Sequence, residues 1–313
     1  MSGFDVLVLG DANPDLVMSG ESVEPAFGQA ERLVDEGRLV IGGSGAIFAC
    51  GAAKLGLRVA FAAVVGDDMF GRYMCDQLQA HGVDTSAVAI LPDRSTGVTV
   101  VLSGAHDRAM LTFPGTTGDL RRSVIDADLL SRTRHIHVSS YFLQRALTPE
   151  LPDLFREARK GEATTSLDPN WDPSGTWDLG LMALLPEVDV FLPNEVEALS
   201  MARISVVEDA IARLRSSGAG IVVVKTAGQG SVAAQASDLI SVPGLPTQVV
   251  DSTGAGDSFD AGFLAGFLGG EPLRRCMEIG NACGALSTRG LGGTSTQPTM
   301  VEALEAIERG SVP

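Results

Sequence analysis

The stretch DSTGAGDSFDAGFLAGFL, residues 251–268, sets two carboxylates around a string of very small residues and then turns into an apolar helical pattern. Gly254, Ala255 and Gly256 fall where that helix starts. The first turn of a helix leaves backbone N–H groups unpaired, and the aligned peptide dipoles add partial positive charge there. Side chains this small let an anion reach those amides, so the turn reads as an anion hole suited to a phosphoryl group. Asp257 lies in or beside the first turn. A carboxylate there either caps free amides or takes a proton from a hydroxyl that attacks phosphorus. Asp251 and Thr253, read as the end of a preceding strand, offer oxygen ligands of the kind a cation takes.

Outward from this stretch the chain alternates strand and helix. Compact apolar runs at 4–10, 58–66, 135–140, 163–168, 188–193 and 220–227 read as buried strands. Helical patterns fill 42–56, 67–82, 149–161, 178–185, 195–217 with a break near Ile204, 271–288 and 299–309. Two further strands are expected at 231–236 and 239–243. Such alternation predicts an α/β fold with a mostly parallel central sheet and helices on both faces. Residues 85–113 differ in texture: short β-like runs meet at a turn over 104–107, and with 13–41 they predict a small antiparallel β lid. No repeat or linker divides the chain, so 1–313 reads as a single domain carrying that lid.

The 313 residues are 45% hydrophobic and 20% charged, an ordinary globular composition. With 39 acidic against 23 basic residues the formal charge is −16, which disfavours a nucleic-acid partner. Cys50, Cys75, Cys276 and Cys283 form no CxxC pair and read as small core residues in a reducing compartment. The N-terminal run lacks a basic leader region and no stretch approaches a membrane span, so a cytoplasmic location is expected. His81, His106, His135 and His137 lack metal spacing and read as structural or exposed. A G-x-G-x-x-G after the first strand and a G-x-x-x-x-G-K-[ST] loop are both absent, which argues against a dinucleotide dehydrogenase and a Walker-type NTPase.

The string D-x-T-G-A-G-D-x-F at 251–259 resembles the C-terminal signature of the ribokinase-like, phosphofructokinase-B type sugar kinases. Other pieces stand in that family's order: NPD (13–15), GGSGAIFACGAAKLG (42–56), DPNWDP (168–173), PNEVEA (193–198), KTAGQGS (225–231) and NACGALSTRGLGG (281–293). The resemblance implies a three-layer ribokinase-like fold and transfer of the ATP γ-phosphoryl group to a primary hydroxyl of a small carbohydrate. It implies Asp257 as catalytic base and Gly254, Ala255 and Gly256 as the amides that stabilise the transferring group.

Further roles follow from the same resemblance. Asn13, Asp15, Gly42 and Gly43 are expected against the sugar, with Asn170 and Tyr141 beside them and Gln144 as a weaker candidate. Lys225, Thr226 and Gly228 are expected on the nucleotide phosphates and ribose, and Asn281 beside adenine. Asn194 and Glu197, three apart on one helix face, are expected to organise Mg²⁺. Asp251 and Thr253, with backbone oxygens from 287–294, suggest a K⁺-type monovalent cation site. A homodimer through the lid is a family habit. Two departures bear on the substrate. Ile47 stands where the family usually carries Asn, which weakens ribose as the acceptor. Asp172 and Pro173 stand where some members carry a basic residue, leaving Arg108 or Arg145 to face a substrate carboxylate. A nucleoside kinase on the same scaffold, and a sugar- or nucleotide-binding regulator without catalysis, are the alternatives.

Overall fold

A computed structural model describes residues 3–104 and 108–312. Its strands are β1 (Val6–Leu9), β2 (Asn13–Ser19), β3 (Glu36–Gly42), β4 (Val59–Gly66), β5 (Asp84–Leu91), β6 (Val98–Ser103), β7 (Arg108–Phe113), β8 (His135–Val138), β9 (Thr164–Leu167), β10 (Val190–Phe191), β11 (Ile221–Lys225), β12 (Gly230–Gln235) and β13 (Asp238–Pro243). Nine of them form one sheet in the order β13-β12-β11-β10-β9-β8-β1-β4-β5. Every neighbouring pair from β11 to β5 is parallel, and β12 and β13 add an antiparallel edge.

The helices are α1 (Ser44–Lys54), α2 (Met69–Ala80), α3 (Ala127–Ser131), α4 (Leu151–Lys160), α5 (Leu181–Leu184), α6 (Glu195–Ala202), α7 (Val207–Ser216), α8 (Ala255–Leu268), α9 (Leu273–Ser287) and α10 (Met300–Arg309). Alternation along β1 shows the layering. Val6 and Val8 pack with α1, α2, α8, α9 and α10, whereas Leu7 and Leu9 pack with α3 to α7. All four are fully buried, each worth about 1.5–3 kcal/mol on removal from water. Two apolar layers thus sandwich the sheet, which is why its strands read as continuous apolar runs. The break near Ile204 is real: Arg203 closes α6 at φ 55°, and α7 restarts at Val207.

Three details differ from the sequence reading. The segment 85–113 divides: β5 joins the edge of the large sheet, and only β6 and β7 join β2 and β3 in the small one. That small sheet is mixed, because β2 and β6 run parallel while β2–β3 and β6–β7 are antiparallel. β5 is apolar enough to pack beside β4, a tertiary choice its local texture does not disclose. No strand leads into Asp251; residues 244–254 form a connection without helix or strand. His106 and part of the expected turn at 104–107 lie outside the described residues.

His135 and His137 are fully buried rather than exposed. With Thr164, Ser166 and Ser139 they form a hydrogen-bonded chain across β8 and β9. Burial pushes both imidazoles down to about 3, so they stay neutral. The four cysteines are free, and all but the half-buried Cys75 are buried. Among the described residues no helix is long and apolar enough to cross a membrane.

Candidate active site

The chain leaves β1 toward β4 on one side, and β1 meets β8 on the other, a change of strand order that opens a crevice at the carboxyl ends. The loops leaving β1, β8, β9 and β10, with the end of β11, bring Asp11, Ser140, Asp168, Asn194 and Lys225 to that edge. α8 aims its N-terminus into the same crevice. Gly254 caps it at φ 72°, a conformation glycine adopts freely, and a Cβ there would lie 2.8 Å from the Gly293 Cα and from Ile47 Cγ2. A side chain at this position would be strained in φ and would collide with the Gly293 backbone.

Two cavities meet at this turn. The larger, of about 750 Å³, is lined by Asp11, Asn13, Asp15, Gly43, Ser44, Asn170, Gly254 and Asp257, and covered by Thr99, Arg108, Met110 and Thr112 of the small sheet. The other, of about 210 Å³, is lined by Ala255, Gly256, Lys225, Gly228, Phe259, Asn281 and Ala285. A polar cavity thus lies on one side of the glycine turn and a mostly apolar slot on the other. That is the arrangement needed to pass a group between two ligands.

Asp257 is half-buried at the wall of the larger cavity. Burial, and next the charge of Asp168, push its carboxyl up to about 7, against the Ser44 hydroxyl and Lys225, which work downward. Ser44 Oγ donates to Asp257 Oδ1 and accepts from Asn170 Nδ2 at 2.6 Å. Asn170 sits at φ 53°, and its N–H reaches Asp168 Oδ1 at 3.1 Å. Lys225 Nζ lies 2.9 Å from Asp168 and 3.0 Å from Asp260, one helical turn beyond Asp257. A ring of contacts, Asp257–Ser44–Asn170–Asp168–Lys225–Asp260, thus closes through α8. Burial alone would raise Asp168, but the Lys225 ammonium overcomes it and holds that carboxyl low. Asp260 is pushed well above the carboxylate range by burial, despite the ammonium.

Of the expected sugar-side residues, Asn13, Asp15, Gly43 and Asn170 line the larger cavity, and Gly42, Tyr141 and Gln144 do not. Asn13 Nδ2 meets Asp15 Oδ1 at 3.5 Å and Thr99 Oγ1 at 3.4 Å. Burial, then Asp11, pushes Asp15 up to about 7. Gly42 acts through Asp15: a Cβ there would stand 2.1 Å from its Oδ1. Tyr141 does not reach the cavity; it is buried and donates its hydroxyl to the Leu179 carbonyl. Gln144 is likewise buried away from it. Ile47 lines the cavity, and both Arg108 and Arg145 do too.

On the slot side, Asn281 donates to the Val242 and Pro243 carbonyls, and Gly228 faces open space. Thr226 lines neither cavity, and Lys225, expected on nucleotide phosphates, spends its ammonium on two carboxylates. Asn194 and Glu197 form a reciprocal capping box, with Asn194 N–H on Glu197 Oε2 at 2.8 Å and Glu197 N–H on Asn194 Oδ1 at 3.0 Å. Burial, then Asp168, pushes Glu197 up to about 8. A buried carboxylate held this high favours a cation beside it.

Asp251 accepts from Gly292 N–H, Thr253 N–H and Thr253 Oγ1 at 2.8, 2.9 and 2.7 Å. Its Oδ1 stands 3.5 Å from Arg108 Nη1, which also donates to Thr253 Oγ1 at 2.7 Å. Burial works upward on Asp251, but these donors, the Gly292 N–H first, hold it low.

Sequence reasoning missed Asp11, Ser44 and Asp260. Asp11 accepts from Gly45 N–H and Ser140 Oγ, each at 3.0 Å, and Asp260 stands three residues past Asp257 on α8. Proximity to Gly42–Gly43 and helical spacing were the available signals.

The pfkB family carbohydrate kinase profile matches residues 4–300. The chain is 30% identical to the ATP-dependent ribose-1-phosphate kinase of Halopiger xanaduensis over 94% of this chain and 95% of that protein. It is 26% identical to the ribokinase of Haemophilus influenzae, covering 96% of this chain and 97% of that one. An E. coli protein solved in complex with ATP and Mg²⁺ superposes with a TM-score of 0.86 at 25% identity, covering 98% of this chain and 99% of that one.

Proposed function

The chain belongs to the pfkB family of carbohydrate kinases and is an ATP-dependent sugar kinase, and from that premise we propose that Asp257 is its base and the 254–256 turn its phosphoryl cradle. The observation that carries this reading is the position of one turn between two cavities, with the half-buried Asp257 carboxylate lining the polar one. The acceptor lies in the larger cavity against Asn13, Asp15 and Gly43, and presents a primary hydroxyl to Asp257. Asp257 takes that proton as the oxygen approaches phosphorus, and the amides of the turn stabilise charge on the transferring group. ATP lies along the smaller slot, its base near Asn281 and its phosphates over Gly228 and the helix start. Here Lys225 supports Asp257 from beneath rather than contacting phosphate.

Glu197, with Asn194 orienting it, suits Mg²⁺, which takes few carboxylates and keeps its waters. The ion would neutralise phosphate charge during transfer. Asp251, held ionised beside the 287–294 loop, suits a monovalent cation, which would take the place of the Arg108 guanidinium. The small sheet acts as a lid that excludes water, a rival nucleophile. β7 is exposed along its whole length, which supports pairing of two copies through the lid. The free cysteines fit a cytoplasmic setting.

Trp171, 62% exposed on the cavity rim, offers one aromatic face and supports a second reading, a nucleoside acceptor. A coupled ADP-release screen over pentoses, hexoses, keto-deoxy acids, sugar phosphates and nucleosides tests both. Turnover with a sugar alone supports the first reading, and turnover with nucleosides alone supports the second. Magnesium-dependent ATP binding with no turnover on any acceptor overturns both in favour of a binding protein.

A further inference from the structure

The larger cavity holds a hydroxyl of the protein itself that already meets the base. Ser44, the first residue of α1, is half-buried and donates Oγ–H to Asp257 Oδ1. Asn170 Nδ2 donates to the same Oγ at 2.6 Å, which leaves one of its two lone pairs unused. Asn170 is itself fixed by Asp168. One turn further along α1, Ile47 presses Cγ2 to within 2.8 Å of where a Gly254 Cβ would stand. The serine-bearing turn therefore lies against the glycine turn. A hydroxyl hydrogen-bonded to a base, oriented by a third group and set beside an anion hole, is the constellation of an activated nucleophile.

Resting on the reading of Asp257 as base, we propose that Ser44 is a self-phosphorylation site, used when ATP is bound and the acceptor is absent. The bond from Ser44 Oγ to the γ-phosphorus forms as the bond from that phosphorus to the β,γ-bridging oxygen breaks. The hydroxyl proton passes to Asp257 Oδ1, and ADP leaves. The phosphoserine then occupies the acceptor cavity and sets a phosphate charge beside Asp257, Asp11 and Asp15, all lining residues. Modified enzyme is closed to acceptor. The acceptor hydroxyl needs the same base, so bound acceptor protects Ser44.

The test incubates the full chain with Mg²⁺-ATP and no sugar, then reads intact mass and locates the group by fragmentation. The expected result is a gain of one phosphoryl group at Ser44. The gain is lost in Ser44→Ala and in Asp257→Asn, retained on the new hydroxyl in Ser44→Thr, and suppressed by any acceptor that turned over in the ADP-release screen. ADP release by labelled enzyme falls in proportion to the labelled fraction. An enzyme that turns over a sugar yet carries no label at Ser44 overturns the proposal, as does a label that survives Asp257→Asn or sits on another residue. A preparation showing neither turnover nor label removes the base assignment and the proposal together.

Discussion

Asp251 and Asp257 stand at the two ends of one motif and meet opposite surroundings. Asp251 is answered by three donors from Gly292 and Thr253 and faces Arg108, so its carboxyl is held low. Asp257 is half-buried, takes the Ser44 hydroxyl as its one side-chain donor among the described residues and feels Asp168, and desolvation lifts its carboxyl to about 7. A carboxylate saturated with donors is a fastener and takes no further proton. One that takes a single side-chain donor at the wall of a cavity can accept a proton near neutral pH, as the proposed base must. The difference lies in what each loop supplies, since the two residues are chemically the same.

The largest expected effect tests the poised end. Asp257→Asn keeps the shape and removes the proton acceptor, so kcat falls by roughly 10²- to 10⁴-fold, read by ADP release with the thermal midpoint near that of the parent. A fall below threefold would make Asp257 a cap and dissolve the comparison. The sign of the pH dependence follows from the same group. The base works only when deprotonated, and its carboxyl is raised to about 7, so kcat/KM rises with pH through that value and levels above it. Asp15 titrates in the same range, and the limb persists in Asp15→Asn if Asp257 is responsible.

The next effect falls on the support beneath the base. Lys225→Met leaves Asp168 and Asp260 facing each other without their cation, and both are buried. Breaking a buried ion pair from one side costs about 3–5 kcal/mol, read as a lower denaturation midpoint. Loss of ATP affinity with unchanged stability would instead place the ammonium on phosphate. Asp251→Ala probes the fastened end more gently. It strands the Gly292 and Thr253 donors, at about 1–3 kcal/mol, and should also remove any activation by K⁺. Equal K⁺ response in parent and variant would detach the cation site from Asp251.

Much of this contrast was legible in the chain. The glycine turn, Asp257 and the strand–helix alternation all follow from local rules: small residues, helix starts and apolar periods. What escaped notice acts across the sequence. Ser44, unremarked in the chain, reaches Asp257 over 213 positions, and Lys225, expected on the nucleotide, reaches Asp168 over 57, distances no local pattern encodes. Tyr141 failed for the converse reason. It follows a strand end, as binding residues often do, but its ring turns into the core and its hydroxyl ends on a backbone carbonyl. β5 failed likewise, since a strand carries no mark of the sheet it will join.

Ile47 gives the smallest effect and the finest test. It replaces the family's usual Asn, and its side chain fills the space that Gly254 and Gly293 leave, with Cδ1 2.5 Å from a Cβ built on Gly293. It is 3% exposed and also lines the larger cavity, so it holds the glycine turn from that side. Ile47→Val removes one methyl group there, at about 0.5–1.5 kcal/mol of stability. If the fit of the turn matters to catalysis, kcat falls with little change in KM for ATP, because the turn cradles the group in flight and not the bound ground state. If Ile47 serves only to shape the acceptor cavity, the same variant moves KM for the sugar and leaves kcat alone. The two outcomes divide the turn's own rigidity from the cavity's shape, and so decide on which side of the glycines this departure from the family acts.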